Sequence, residues 1–103
     1  MSVIMRIVQR FEAKNEKSFM GLEKQFAQLE RDRPDYPKGR RMQPISGVEP
    51  CNTLVWECEF PDIASARNAL GFFEGDAAHE ALLDKQLPYF EQVRIEFYEK
   101  LEV

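Results

Sequence analysis

The sequence predicts an α+β fold of order βαββαβ, a four-stranded antiparallel sheet with two helices on one face. Three observations predict it. Segments near the start, middle and end of the chain alternate apolar and polar residues with a period of two, and two segments between them repeat apolar residues at helical spacing. Glycines and prolines punctuate the joins. At 103 residues the chain makes a single domain, residues 1–103, with one core.

The first strand runs from Val3 to Glu12, with Val3, Met5, Ile7, Gln9 and Phe11 on one side and Arg6, Val8 and Arg10 on the other. Asn15 is a candidate N-cap for a helix whose Phe19, Leu22, Phe26 and Leu29 face inward, which leaves Glu23, Lys24, Glu30 and Arg31 outside. Pro34 stops this helix, and Arg33 to Arg40, with Pro34, Pro37 and Gly39, reads as a loop. Arg41 to Ser46 is a weaker strand, and Pro44 within it suits a sheet edge.

Gly47 to Asn52 has turn chemistry and joins this strand to the next as a hairpin. The clearest pattern in the chain follows: Leu54, Trp56, Cys58 and Phe60 alternate with Val55, Glu57 and Glu59. Asp62 caps a second helix with Ile63, Ala66, Leu70 and Phe73 at helical spacing. Gly75-Asp76 breaks it before a shorter helical piece from Ala77 to about Gln86, which Pro88 ends. The last strand, Val93 to Leu101, sets Val93, Ile95, Phe97 and Leu101 against Arg94, Glu96, Tyr98 and Lys100.

Two βαβ-like halves with right-handed crossovers give spatial order 4-1-3-2, the ferredoxin-like arrangement. The helices then cover Met5, Ile7, Phe11, Leu54, Trp56, Cys58, Phe60, Val93, Ile95 and Phe97, gathering the strong apolar strand residues on one side.

Composition narrows the function. Hydrophobic residues make up 44% of the chain and charged ones 31%, an ordinary globular mix, and the net charge of −4 opposes a nucleic-acid partner. No apolar run approaches the roughly 20 residues of a membrane span, and the start MSVIMRIVQRF lacks a signal peptide's long apolar region. A cytoplasmic protein with no membrane contact is expected. Cys51 and Cys58 are expected as reduced thiols, Cys58 as a small core hydrophobe.

On the uncovered sheet face Arg6 and Arg10 of the first strand are flanked by Glu57 and Glu59 on one side and Glu96 on the other. Val8, Val55 and Tyr98 interrupt these charges, which suits a second sheet packed against the first and predicts a homodimer through the open sheet face. An RNA-binding sheet would display aromatic rings on its central strands, where this chain has arginine, valine and glutamate. Acyl-phosphate chemistry would want a cradle of backbone amides near the end of the first strand, and FEAKNEK has no glycine to form one.

The stretch from Thr53 to Lys100, with LVWECEFPDIASARNAL, then FFEGDAAHEALL and the closing RIEFYEKL, resembles the NIPSNAP-like branch of the dimeric α/β-barrel superfamily. The resemblance implies two ferredoxin-like subunits packed sheet against sheet, with a pocket between sheet and helices or within the barrel. It also implies candidate chemistry. Cofactor-independent monooxygenases of the superfamily use tryptophan, asparagine and histidine on an activated phenolic substrate, and Trp56, Gln9 and His79 are the matching catalytic candidates. In its haem-degrading members a histidine on the helix ligates haem. His79 corresponds to it, while Gln9 stands about where their first-strand asparagine would be.

Each candidate has a plain structural reading: Trp56 as core, Gln9 as a loop's hydrogen-bond partner, His79 as an exposed helix residue. Arg6, Glu57 and Tyr98 form a second, substrate-binding candidate set on the barrel-facing side. There arginine would orient a carboxylate and Glu57 would act as base if burial raised its pKa; an ion-pair ladder explains the same residues. One histidine and two separated cysteines supply no metal set, and no Gly-rich phosphate loop or nucleophile elbow is present. No cofactor is expected on the first reading. That reading is a dimeric protein that binds a small organic molecule as a cofactor-independent monooxygenase or isomerase. The alternatives are a non-catalytic homodimeric interaction module and a haem-binding protein.

Overall fold

A computed structural model describes all residues, Met1–Val103. Along the chain come β1 (Val3–Phe11), a 3₁₀ turn (Ala13–Asn15), α1 (Glu16–Asp32), β2 (Arg40–Met42), β3 (Thr53–Phe60), α2 (Ile63–Gly75), α3 (Ala77–Gln86), a second 3₁₀ turn (Leu87–Tyr89) and β4 (Phe90–Glu99). The sheet order is β2-β3-β1-β4, and each neighbouring pair is antiparallel. This is the ferredoxin-like topology expected from the alternation.

Register fixes which side chains share a face. Ile7 lies between Trp56 and Ile95, and Met5 between Cys58 and Phe97, so one face is the apolar stripe. Ala66 and Ala69 let α2 approach that stripe closely, and they are buried with Met5, Trp56 and Cys58 in one core cluster. Phe11, Phe19 and Leu54 form a second cluster beneath α1, with the Phe11 and Phe19 rings stacked 4.5 Å apart.

Helix ends follow local chemistry. Asp62 accepts a hydrogen bond from the Ser65 N–H at 2.7 Å, which caps α2. The break at Gly75-Asp76 divides the second helical stretch in two, and Asp76 caps α3 through the His79 N–H at 3.0 Å. Asn15 stands at the α1 N-cap but makes no capping bond; its amide donates to Glu12 instead.

Several expectations need correction. β2 is only Arg40–Met42, so Pro44 lies beyond the strand, and β4 begins at Phe90 and ends before Leu101. Glu59 stands beside Ile4 rather than Arg10 and pairs with Lys100, while Arg10 pairs with Glu91. Glu23 and Glu30 are buried, not outside. The helices cover β1 and β3 but leave the same-face residues of β4 open, with Val93 47% and Ile95 46% exposed. The opposite sheet face is not wholly bare either. Glu49, from the β2–β3 connection, bonds Arg94 at 2.5 Å across the row Val55–Val8–Arg94, and Val8 is buried.

Candidate functional site

The incomplete cover over β4 leaves a cavity of about 380 Å³ between sheet and helices. Its apolar walls include Ile7, Phe26, Trp56, Phe73, Phe90 and Ile95, and its polar lining is Gln9, Glu23, Glu30, Tyr36, Arg41, His79 and Gln86. This volume lies at the small end of the roughly 300 to 1,000 Å³ of ligand pockets, and the mix of apolar wall and few polar groups is theirs too.

Gln9, Trp56 and His79, the three catalytic candidates, all line this one cavity. Gln9 arrives there because it takes the inward position next to Ile7 on β1, between Leu54 and Val93. It is 9% exposed, and its amide bonds no protein group. The amide is open to the cavity, where water or a ligand can satisfy it.

Trp56 is buried as a core residue would be, yet one edge of it faces the cavity. Its Nε1 donates to Glu30 Oε1 at 3.4 Å, and Phe73 meets it edge to face at 6.0 Å. Gly39 lies against the same ring: a Cβ there would sit 2.1 Å from the indole, so only glycine allows the approach.

His79 is mostly buried rather than exposed. Its ring stacks on Phe73 with centroids 4.8 Å apart and planes 13° apart, and Phe26 tilts against it at 5.1 Å. Nδ1 lies 3.3 Å from Glu80 Oε1. The Asp76 cap that holds the His79 backbone is itself anchored, because Asp76 accepts hydrogen bonds from Tyr36 Oη and from Arg33 Nη1, the latter at 2.7 Å. The Arg33 guanidinium covers the Tyr36 ring at 4.6 Å. The Tyr36 hydrogen bond holds the Asp76 carboxyl down near about 2, with Arg33 and the His79 N–H adding to it against partial desolvation. Burial, and then the bond to Asp76, push the Tyr36 phenol well above its usual range.

The polar end of the cavity was not foreseen from the sequence. Arg41 on β2 points between the two carboxylates of α1, donating from Nε to Glu23 at 2.6 Å and from Nη2 to Glu30. Gln86 of α3 donates to the other Glu23 oxygen at 3.0 Å, and the Gly39 N–H donates to Glu30 at 3.0 Å. Every member of this network therefore has a partner. Burial alone would lower the Arg41 pKa, and the bonds and charges of Glu30 and Glu23 outweigh it and raise it.

Arg6, Glu57 and Tyr98 lie on the opposite face. Arg6 donates twice to Glu57 Oε1, at 3.1 and 2.7 Å, and its guanidinium covers the Tyr98 ring at 5.0 Å. Arg40 donates to the other Glu57 oxygen at 2.7 Å. The Arg6 hydrogen bond, helped by Arg40 against the opposing effect of burial, holds the Glu57 carboxyl below the usual range. A raised pKa, which a base would need, is the reverse of what these neighbours produce.

No protein-family model matches the chain, and no curated protein matches it. Solved structures do. An uncharacterised NIPSNAP domain protein from Burkholderia xenovorans superposes with a TM-score of 0.78 at 20% identity, covering 98% of this chain and 95% of its own. A NIPSNAP family protein from Agrobacterium tumefaciens gives 0.79 at 7% identity, covering 99% and 95%. A crystallised antibiotic biosynthesis monooxygenase gives 0.73 at 12% identity, covering 97% and 99%. At these identities the likeness is one of fold. The chain thus has the ferredoxin-like fold that NIPSNAP domain proteins and antibiotic biosynthesis monooxygenases share.

Proposed function

We propose that this NIPSNAP-like protein binds a small aromatic molecule in the cavity between sheet and helices and acts on it as a cofactor-independent monooxygenase or isomerase. The observation that carries the reading is Gln9: an amide without a protein partner that opens into the same aromatic-walled cavity as His79. On this reading Gln9 hydrogen-bonds a ligand oxygen or nitrogen, Trp56 and Phe73 hold the ring plane, and His79 moves the proton. The fold likeness to an antibiotic biosynthesis monooxygenase agrees with such chemistry.

The residues do not fit haem. Haem brings two propionates, and the cavity's one guanidinium is already engaged by Glu23 and Glu30.

We place Arg6, Glu57 and Tyr98 at the interface of a homodimer instead of in a substrate site. Glu57 is held ionised by two arginines, which removes it as a substrate's base, whereas Tyr98 remains 47% exposed on the sheet face. In a cell the reading is of a cytoplasmic enzyme; no helix of the chain is long and apolar enough to cross a membrane.

The test is titration of a neutral aromatic probe, naphthol, followed by its effect on Trp56, the chain's only tryptophan. Saturable binding that weakens in Gln9→Leu supports the reading. No perturbation of Trp56 at millimolar probe contradicts it.

A further inference from the structure

We infer that the cavity selects aromatic ligands that carry a positive charge, an arylalkyl ammonium in chemical class, and discriminates against aromatic carboxylates. The inference rests on the reading of this cavity as a ligand site and adds the ligand's charge to it.

The lining holds two carboxylates, Glu23 and Glu30, against one guanidinium, Arg41. Both bonds that Arg41 makes, from Nε and from Nη2, go to those carboxylates, so its charge is matched by one of them and the other is in excess. Lys38 turns its ammonium to the backbone carbonyls of Glu30 and Arg33, the Arg33 guanidinium is engaged by Asp35 and Asp76, and neither cation lines the cavity. At the end of the cavity where Glu23 and Glu30 are buried, one uncompensated charge acts more strongly than on the surface.

Two further features suit an ammonium. Each Glu23 oxygen accepts only one protein hydrogen bond, leaving lone pairs free, and the unpartnered Gln9 amide offers a carbonyl oxygen as a further acceptor. The cavity walls include the aromatic rings of Phe26, Phe73 and Phe90, and cations are attracted to ring faces. A carboxylate ligand would meet the same rings and the excess acid together.

The test uses three probes of one shape, naphthylmethylamine, naphthol and naphthoate, titrated into the wild-type chain while the Trp56 indole N–H is followed by proton–nitrogen NMR. The ammonium should bind at least about tenfold tighter than the carboxylate, with naphthol between them. Glu23→Gln should narrow that ratio, each affinity being taken relative to that of naphthol for the same variant. If naphthoate binds as tightly as the ammonium, the charge selection is wrong and the ligand site stands. If none of the three perturbs Trp56, the ligand site itself is wrong and the inference falls with it.

Discussion

The imidazole of His79 lies face to face with the Phe73 ring, 4.8 Å between centroids and 13° between planes. The stack couples α3 to α2 across the Asp76 break and holds the only histidine at the cavity wall. Phe73 also meets Trp56, Tyr36 and Phe72 at 6.0 Å each, so one ring braces four others.

Phe73→Ala should therefore cost stability and order together. Full burial of phenylalanine would put the loss at about 3 to 5 kcal/mol, and Phe73, only partly buried, should lose roughly 2 to 3. Denaturant unfolding measures it, and the His79 ring protons should shift in the NMR spectrum as the stacked ring is removed.

Glu30 binds Arg41, the Gly39 N–H and the Trp56 indole at once. Glu30→Ala leaves those donors buried without an acceptor and should cost about 3 kcal/mol; Glu30→Gln, which keeps one oxygen, should cost less. Equal losses in the two variants, by denaturant unfolding, would mean that packing rather than the donors sets the cost.

Acid should loosen the α2–α3 junction. Asp76 has its folded pKa lowered from 3.8 to about 2, with Tyr36 the largest cause. A depressed carboxylate stabilises the fold above its unfolded pKa, and that stability is lost as pH falls through the folded value. The denaturation midpoint should fall between about pH 4 and pH 2, and Asp76→Asn should flatten that acid limb.

Association is open to direct measurement. Light scattering after size exclusion should give twice the chain mass of 12.1 kDa, and Tyr98→Glu, which sets a new acid beside Glu96 and Glu99, should shift the population toward monomer. A wild-type monomer at micromolar concentration would rule out the interface assigned to Arg6, Glu57 and Tyr98.

The strands were legible because a period of two is hard to mistake: Leu54 to Phe60 alternates without a break, and its neighbours on β1 and β4 do likewise. Gln9 announced itself as the polar member of an apolar face. The acidic end of the cavity was missed because charge was read as exposure. The spacing held the signal, since Glu23 and Glu30 stand four residues after Phe19 and Phe26 and seven apart, on the stripe that turns inward. Their partner Arg41 could not be paired with them from sequence, because β2 is short and its register is set by tertiary packing. The exposure of Val93 and Ile95 was equally hidden, because it depends on how far the helices reach over β4.

A crystal structure determined with naphthol bound tests the central claim most directly. The account predicts the ring in the cavity, against Trp56 and Phe73, with its hydroxyl in hydrogen-bond reach of the Gln9 amide and beside His79. Probe density elsewhere, or a cavity closed by its own side chains with Gln9 bonded to protein, would contradict it.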